Sequence, residues 1–136
     1  MAATELNVQI KDTVFDPDLP RSAPKRVNVR EQDGTTFYKV WLYLEGDDLP
    51  YVDYVTYTLH ETFQNPVRTV RLTPSNPTCQ LIIWTWGIFT VKATIVDKRG
   101  LTFEISHYLT YERELPPEED AYEHEDSTNR ATLVSA

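Results

Sequence analysis

Cysteine is almost absent: Cys79 stands alone, so no disulfide can form within the chain and an oxidising compartment gains no support. Long apolar runs are missing too. Nothing approaches the roughly eighteen consecutive apolar residues of a membrane-spanning helix. Met1-Ala2-Ala3-Thr4-Glu5 has no basic stretch leading into an apolar one, as a secretory leader would. A soluble, cytoplasmic protein without membrane contact is the expectation. Basic clusters are lacking as well: 13 Lys and Arg stand against 21 Asp and Glu, for a formal net charge of -8. With no stripe of cations to meet phosphates, nucleic acid is not expected as a partner. Glycine is scarce at 4 residues, while 9 prolines fall mostly between periodic runs, as in strand-rich chains punctuated by turns.

The residues that chemistry needs are also few. His60, His107 and His124 show no metal-ligand spacing, and one cysteine does not complete a set. No Ser or Cys sits on a recognisable nucleophile elbow. Glu61 and Glu104 could be offered as paired carboxylates, but no spacing rule selects them over solvated strand residues. Neither a cofactor nor an enzymatic activity is expected.

What is present suits one folded domain. The 136 residues are 40% apolar and include 3 Trp, 8 Tyr and 5 Phe, enough for a core. Charge is unevenly placed: eight acids between Glu112 and Asp126 are offset there by Arg113 alone, with Arg130 following. From Pro116-Pro117 onward the acidic, aliphatic-poor sequence reads as a mobile tail, so the expected division is a folded body at 1–115 and a tail at 116–136. The acidic surface suits a basic protein segment as a partner.

Alternation at period two marks strand after strand. Leu6, Val8 and Ile10 form the first, and Val27 and Val29 the second. Asp33-Gly34 signals the turn into Phe37–Glu45, where Val40, Leu42 and Leu44 share one face and Trp41 and Tyr43 the other. Tyr51–Thr62 follows the Gly46–Pro50 break. Its parity makes Val55, Tyr57 and Leu59 core residues and sets His60 and Thr62 together on the polar side. Further strands are read at Val67–Leu72, Gln80–Trp84, Ile88–Val96 and Leu101–Tyr111, with Asp97–Gly100 as a hairpin turn whose Gly is left-handed. About eight antiparallel strands without an amphipathic helix predict an all-β, immunoglobulin-like β-sandwich.

Two stretches hold the material for a small aromatic slot. One is Leu59-His60-Glu61-Thr62-Phe63, running into Gln64-Asn65-Pro66; the other is Trp84-Thr85-Trp86-Gly87-Ile88-Phe89. A lone His near a strand end is more often structural than functional, and a Trp/Phe cluster is more often core. Gly87 directly after Trp86 is the detail that resists the core reading. A backbone turn there sets an aromatic face beside a backbone N–H, which together receive a flat amide.

Leu59-His60-Glu61-Thr62-Phe63, then Asn65-Pro66 and Trp86-Gly87-Ile88-Phe89, resembles the YEATS domain family, whose usual pattern is Leu-His-x-Ser/Thr-Phe/Tyr and, later, Gly-Trp/Tyr-x-x-Phe. The likeness spans Val27 to Tyr111 and is nearest to the prokaryotic-type branch. It implies an immunoglobulin-like sandwich and a reader of acylated lysine in peptides, or of another small acyl ligand. By position, Phe63 and Trp86 would be aromatic plates around the acyl group. The Trp86 N–H would donate to its carbonyl, and the Thr62 hydroxyl would accept the amide N–H. His60 would line the pocket, with Thr85 and Gly87 at its wall and Phe89 behind. Thr85 replaces the usual Gly and Thr62 the commoner Ser; Phe37 or Tyr38 is the nearest counterpart of the family's early-loop aromatic. The competing reading is a structural or interaction scaffold whose slot is filled by Thr85 or Trp84. A deacylase would need a nucleophile or a metal, and the sequence offers neither.

Overall fold

The computed structural model describes residues 5–20 and 22–125. The described chain is all-β: β1 (Gln9–Thr13), β2 (Val27–Gln32), β3 (Thr35–Glu45), β4 (Val52–Thr58), β5 (Val67–Arg71), β6 (Leu81–Thr85), β7 (Thr90–Asp97), β8 (Thr102–Tyr108) and β9 (Tyr122–Glu125), with three single-turn 3-10 helices. Two sheets result. One has the order β1-β3-β2-β9, with β6 also on β3; the other runs β5-β4-β7-β8. No helix among the described residues is long and apolar enough to cross a membrane.

By proximity the chain divides into two units. One comprises the residues up to Asp12, Leu42–Leu81 and Phe89–Leu109; the other comprises Thr13–Trp41, Ile82–Ile88 and the residues from Thr110 on. The first contains the β5-β4-β7-β8 sheet. Its core is the alternating set the sequence predicts, with Val55, Tyr57, Leu59, Val91, Ala93 and Ile95 all buried. Tyr57 donates its hydroxyl to the Cys79 carbonyl at 2.8 Å. Burial, and secondarily Cys79, pushes that phenol far above its ordinary pKa. Cys79 is itself buried, and burial pushes its thiol up to about 11. Leu42 and Leu44 are buried as expected. In the second unit Val27, Val29 and Val40 are buried, and so is Trp41, which the alternation sets on the opposite face. Lys39 Nζ lies 5.3 Å from the Trp41 ring centroid, so the stem of a cation covers an indole that alternation alone leaves bare.

Turn chemistry fixes the registers. Asp33 (φ 53°) and Gly34 (φ 79°) form a two-residue left-handed turn closing Gln32 onto Thr35. Gly100 (φ 88°) ends the Asp97–Gly100 turn, whose N–H bonds back to the Asp97 carbonyl at 2.9 Å. Gly46 (φ 146°) is required sterically, because a Cβ there would collide with the Asn7 carbonyl.

The structure departs from the sequence reading at two points. β4 ends at Thr58, not Thr62. The Leu59 N–H bonds to the Pro66 carbonyl at 2.8 Å and Asn65 is left-handed (φ 52°), so the chain turns back before the alternation finishes. The other point is one of extent: nine strands among the described residues agree with the expected fold of about eight, and the ninth lies in the stretch read as an acidic tail. Within its described part, Glu119–Ala121 makes a 3-10 turn and β9 pairs parallel to β2, Val27 opposite Tyr122 and Arg30 opposite Glu125. An edge strand needs backbone pairing rather than an apolar face, so composition does not announce it. Residues 126–136 of the expected tail lie outside the described residues.

Candidate functional site

The turn after β4 builds the first group of candidate residues. His60 and Thr62 sit beyond the strand, both exposed, and what joins them is a hydrogen bond rather than strand parity. The Thr62 N–H donates to His60 Nδ1 at 3.2 Å, and Thr62 Oγ1 lies 2.8 Å from the same nitrogen. In the tautomer whose Nδ1 accepts the amide, that nitrogen carries the lone pair, the ring proton sits on Nε2, and the hydroxyl donates to Nδ1 as well. The lone pairs of Thr62 Oγ1 are thereby left to accept from another donor.

Aromatic rings stand beside this acceptor. Phe89, just before β7, lies 5.3 Å from Phe63 and 6.0 Å from His60 between ring centroids, the latter edge-on at 63°. Both phenylalanines are half-buried. The Phe63 N–H bonds to the His60 carbonyl at 3.0 Å, and the Phe89 carbonyl accepts the Leu109 N–H at 3.1 Å, so the backbone of each is held. Arg68 completes the turn from outside, donating Nε to the Asn65 carbonyl at 2.8 Å and Nη2 to the Gln64 carbonyl at 2.9 Å. Sequence reading overlooked Arg68. Its signal is a long cation three residues after an Asn whose own carbonyl must point outward in a left-handed turn.

The second group is the turn after β6. Thr85 is buried at 1% exposure; its Oγ1 donates to the Gly87 carbonyl at 2.7 Å and accepts the Gly87 N–H at 3.3 Å. This closed ring of bonds turns the chain and leaves Trp86 outside at 56% exposure. A Cβ added at Gly87 would meet nothing within 4 Å. His60, Thr62, Phe63 and Phe89 are thus brought together in one unit, while Thr85, Trp86 and Gly87 form their own turn in the other. Tyr38, offered as the early-loop aromatic, is on β3 with its ring 5.8 Å from the buried Tyr111. Trp84 is flanked by cations, Arg30 at 4.2 Å and Lys39 at 6.0 Å from its ring centroid. Among the described residues no group of three His, Cys, Asp or Glu could hold a metal.

Two sheets of strands, with only single-turn 3-10 helices between them among the described residues, put the described chain in the all-β class. The model of the prokaryotic YEATS domain matches residues 38–110, and the chain belongs to that family. It is similar to transcription initiation factor TFIID subunit 14 of Schizosaccharomyces pombe, 42% identical over 72 residues, which are 52% of this chain and 28% of that protein. The match therefore spans little more than a quarter of that relative's length. Among solved structures, the Yaf9 YEATS domain recognizing an H3K122suc peptide aligns with a TM-score of 0.52 at 18% identity, covering 85% of this chain and 83% of that one. The yeast AF-9 homolog protein Yaf9 aligns with a TM-score of 0.50 at 20% identity, covering 76% and 64%. At these identities the likeness establishes the fold, an immunoglobulin-like β-sandwich.

Proposed function

We propose that this chain is a non-catalytic binding module for acylated lysine, or for a similar flat acyl-amide, presented on a peptide. The observation that carries the reading is the His60–Thr62 pair. In the tautomer whose Nδ1 accepts the Thr62 amide, the Thr62 hydroxyl gives its proton to His60 and keeps lone pairs for the amide N–H of a ligand. The Phe63 and Phe89 rings beside it suit the planar face of an acyl group. Trp86 supplies an exposed indole and, in this reading, the backbone N–H that meets the acyl carbonyl. Family membership supports the assignment, as does the acyl-peptide complex of a structure with the same fold. No bond is made or broken. An aromatic stack adds about 0.5–1.5 kcal/mol beyond area burial, so affinities from millimolar to micromolar are expected. The acidic chain, at -8, favours approach of a basic peptide.

A scaffold reading draws on Thr85, which is buried and closed onto Gly87, leaving its hydroxyl no proton to donate to a ligand. An NMR titration with acetyl- and crotonyl-lysine peptides, unmodified peptide as control, decides between them. A reader shows shifts at His60, Thr62, Phe63 and Trp86 that vanish in Trp86→Ala. Silence with every acylated peptide leaves the scaffold.

A further inference from the structure

We propose that the outer edge of β2 is a strand-acceptor site, filled in cis by Tyr122–Glu125 and open in trans to an extended acidic segment of another polypeptide. The proposal is independent of acyl-lysine binding.

β2 has two neighbours with different characters. β3 pairs with it antiparallel through a tight hairpin, Gln32 opposite Thr35. β9 pairs with it parallel, Val27 opposite Tyr122 and Val29 opposite His124, from a segment nearly a hundred residues later in the chain. β9 is four residues long among the described residues, and parallel pairing is slightly weaker per residue than antiparallel. Its side chains add little burial. Tyr122 is half-buried, and Glu123 and His124 are exposed, against buried Val27 and Val29 on β2. A short, exposed edge strand belongs to the low end of local stability and opens before the rest of the sheet.

What holds the segment is chemistry that a separate chain could supply. The Arg26 guanidinium donates to the Asp120 carbonyl at 3.2 Å, a contact to backbone that any residue type at that position would satisfy. The Tyr122 hydroxyl donates to the Pro116 carbonyl at 2.8 Å, a contact internal to the segment that travels with it. Charge sets the specificity. Glu118, Glu119 and Asp120 lead into β9 and Glu123 lies on it, while Lys25 and Arg26 lead directly into β2, so the two strands bring complementary charge in a chain of net charge -8. When β9 leaves, β2 presents unpaired N–H and C=O groups to solvent, and an edge in that state pairs with an extended chain. The cis segment competes at the high effective concentration of a short tether, so weakening it must tighten binding in trans.

The test uses the full chain with Glu123→Pro and His124→Pro together. Successive residues of a parallel strand direct their N–H groups to opposite sides, so one of the two prolines removes a bond to β2 whichever way the strand faces. The probe is a fluorescent peptide with the sequence of residues 116–125; a second peptide carries Lys at every acidic position. The expected result is at least tenfold tighter acidic-peptide binding by the double variant than by the native chain, and no binding of the Lys peptide. Among Val27–Arg30, the amides that face β9 should exchange fast in the variant and slowly again with acidic peptide bound, while those that face β3 stay protected throughout. Tyr122→Ser, which keeps every backbone bond, should give a smaller gain in the same direction. Equal binding by native and variant chains, equal binding of the two peptides, or protection elsewhere than β2 would overturn the proposal. So would a variant that sediments as a dimer and excludes the peptide, since the edge would then belong to a second copy.

Discussion

The two ends of the β4–β7 strand pair use one local device for opposite purposes. At the end of β7, the Asp97 carboxylate accepts the N–H of Arg99, two residues on, at 2.9 Å. At the end of β4, His60 Nδ1 accepts the N–H of Thr62, also two residues on, at 3.2 Å. The Asp97 turn is then saturated: the same carboxylate takes the Leu101 N–H at 3.0 Å and the Arg99 guanidinium at 2.8 Å through Nε. It is buried, and nothing is left over. The His60 turn is exposed and stops at two bonds, with the Thr62 hydroxyl still able to accept. The spacing is the same; burial and saturation make one turn a fastener and leave the other exposed with fewer bonds.

Breaking the fastener should have the largest effect. Asp97→Ala strands two backbone donors and an arginine, and a fall in thermal midpoint on the order of 10 °C is expected by calorimetry. The pH dependence follows from the same group. Burial raises the cost of the Asp97 charge, but the Arg99 side chain, the Leu101 and Arg99 amides and the Arg99 charge outweigh it, so its pKa lies below the ordinary carboxylate value. Its contribution to stability is therefore complete above the unfolded carboxylate's pKa and is lost as pH falls through the folded value. Urea midpoints measured from neutral pH into the acid range should drop less steeply in Asp97→Asn than in the native chain.

Thr85→Val probes an intermediate case, a buried hydroxyl with two local bonds. Losing both should cost about 1–3 kcal/mol, seen as a lower urea midpoint at unchanged slope. Thr62→Val should sharpen the contrast. Thermal stability should stay within about 0.5 kcal/mol of the native value, while acyl-peptide affinity falls about tenfold, or ~1.4 kcal/mol. Were Thr62→Val to destabilise as Asp97→Ala does, the distinction between fastener and binding turn would collapse. The smallest effect on folding belongs to Gly87→Ala. With open space where the methyl group would go, it should leave the midpoint unchanged within about 0.5 kcal/mol. A loss of peptide affinity in that variant would mark the space above Gly87 as ligand space.

Much of this was legible in sequence because it rests on local rules. Asp33-Gly34 and Gly100 announce their turns through the conformations only such residues adopt easily, and Val55, Tyr57 and Leu59 announce the core by alternation. The errors come from longer-range physics. Alternation through His60 and Thr62 implied a strand, but the Leu59–Pro66 backbone bond closes the loop first, and those two residues meet by hydrogen bonding instead. Trp41 is buried against the pattern under Lys39. β9 has no apolar alternation to show, since what it completes is the edge of β2, which begins at Val27 and is remote in sequence. Arg68, which braces the Phe63 turn, is marked only by its place three residues after Asn65.

Cys79 gives the molecule a clock. It is the chain's one thiol and has no exposed surface, and with a pKa of about 11 roughly one molecule in ten thousand would hold it as the reactive thiolate at neutral pH. A thiol reagent therefore reports only those moments when the surroundings of Tyr57 come apart. Every ligand that favours the closed form must slow that labelling by the factor it adds to the folding equilibrium, so affinity could be read from a reaction the ligand never touches.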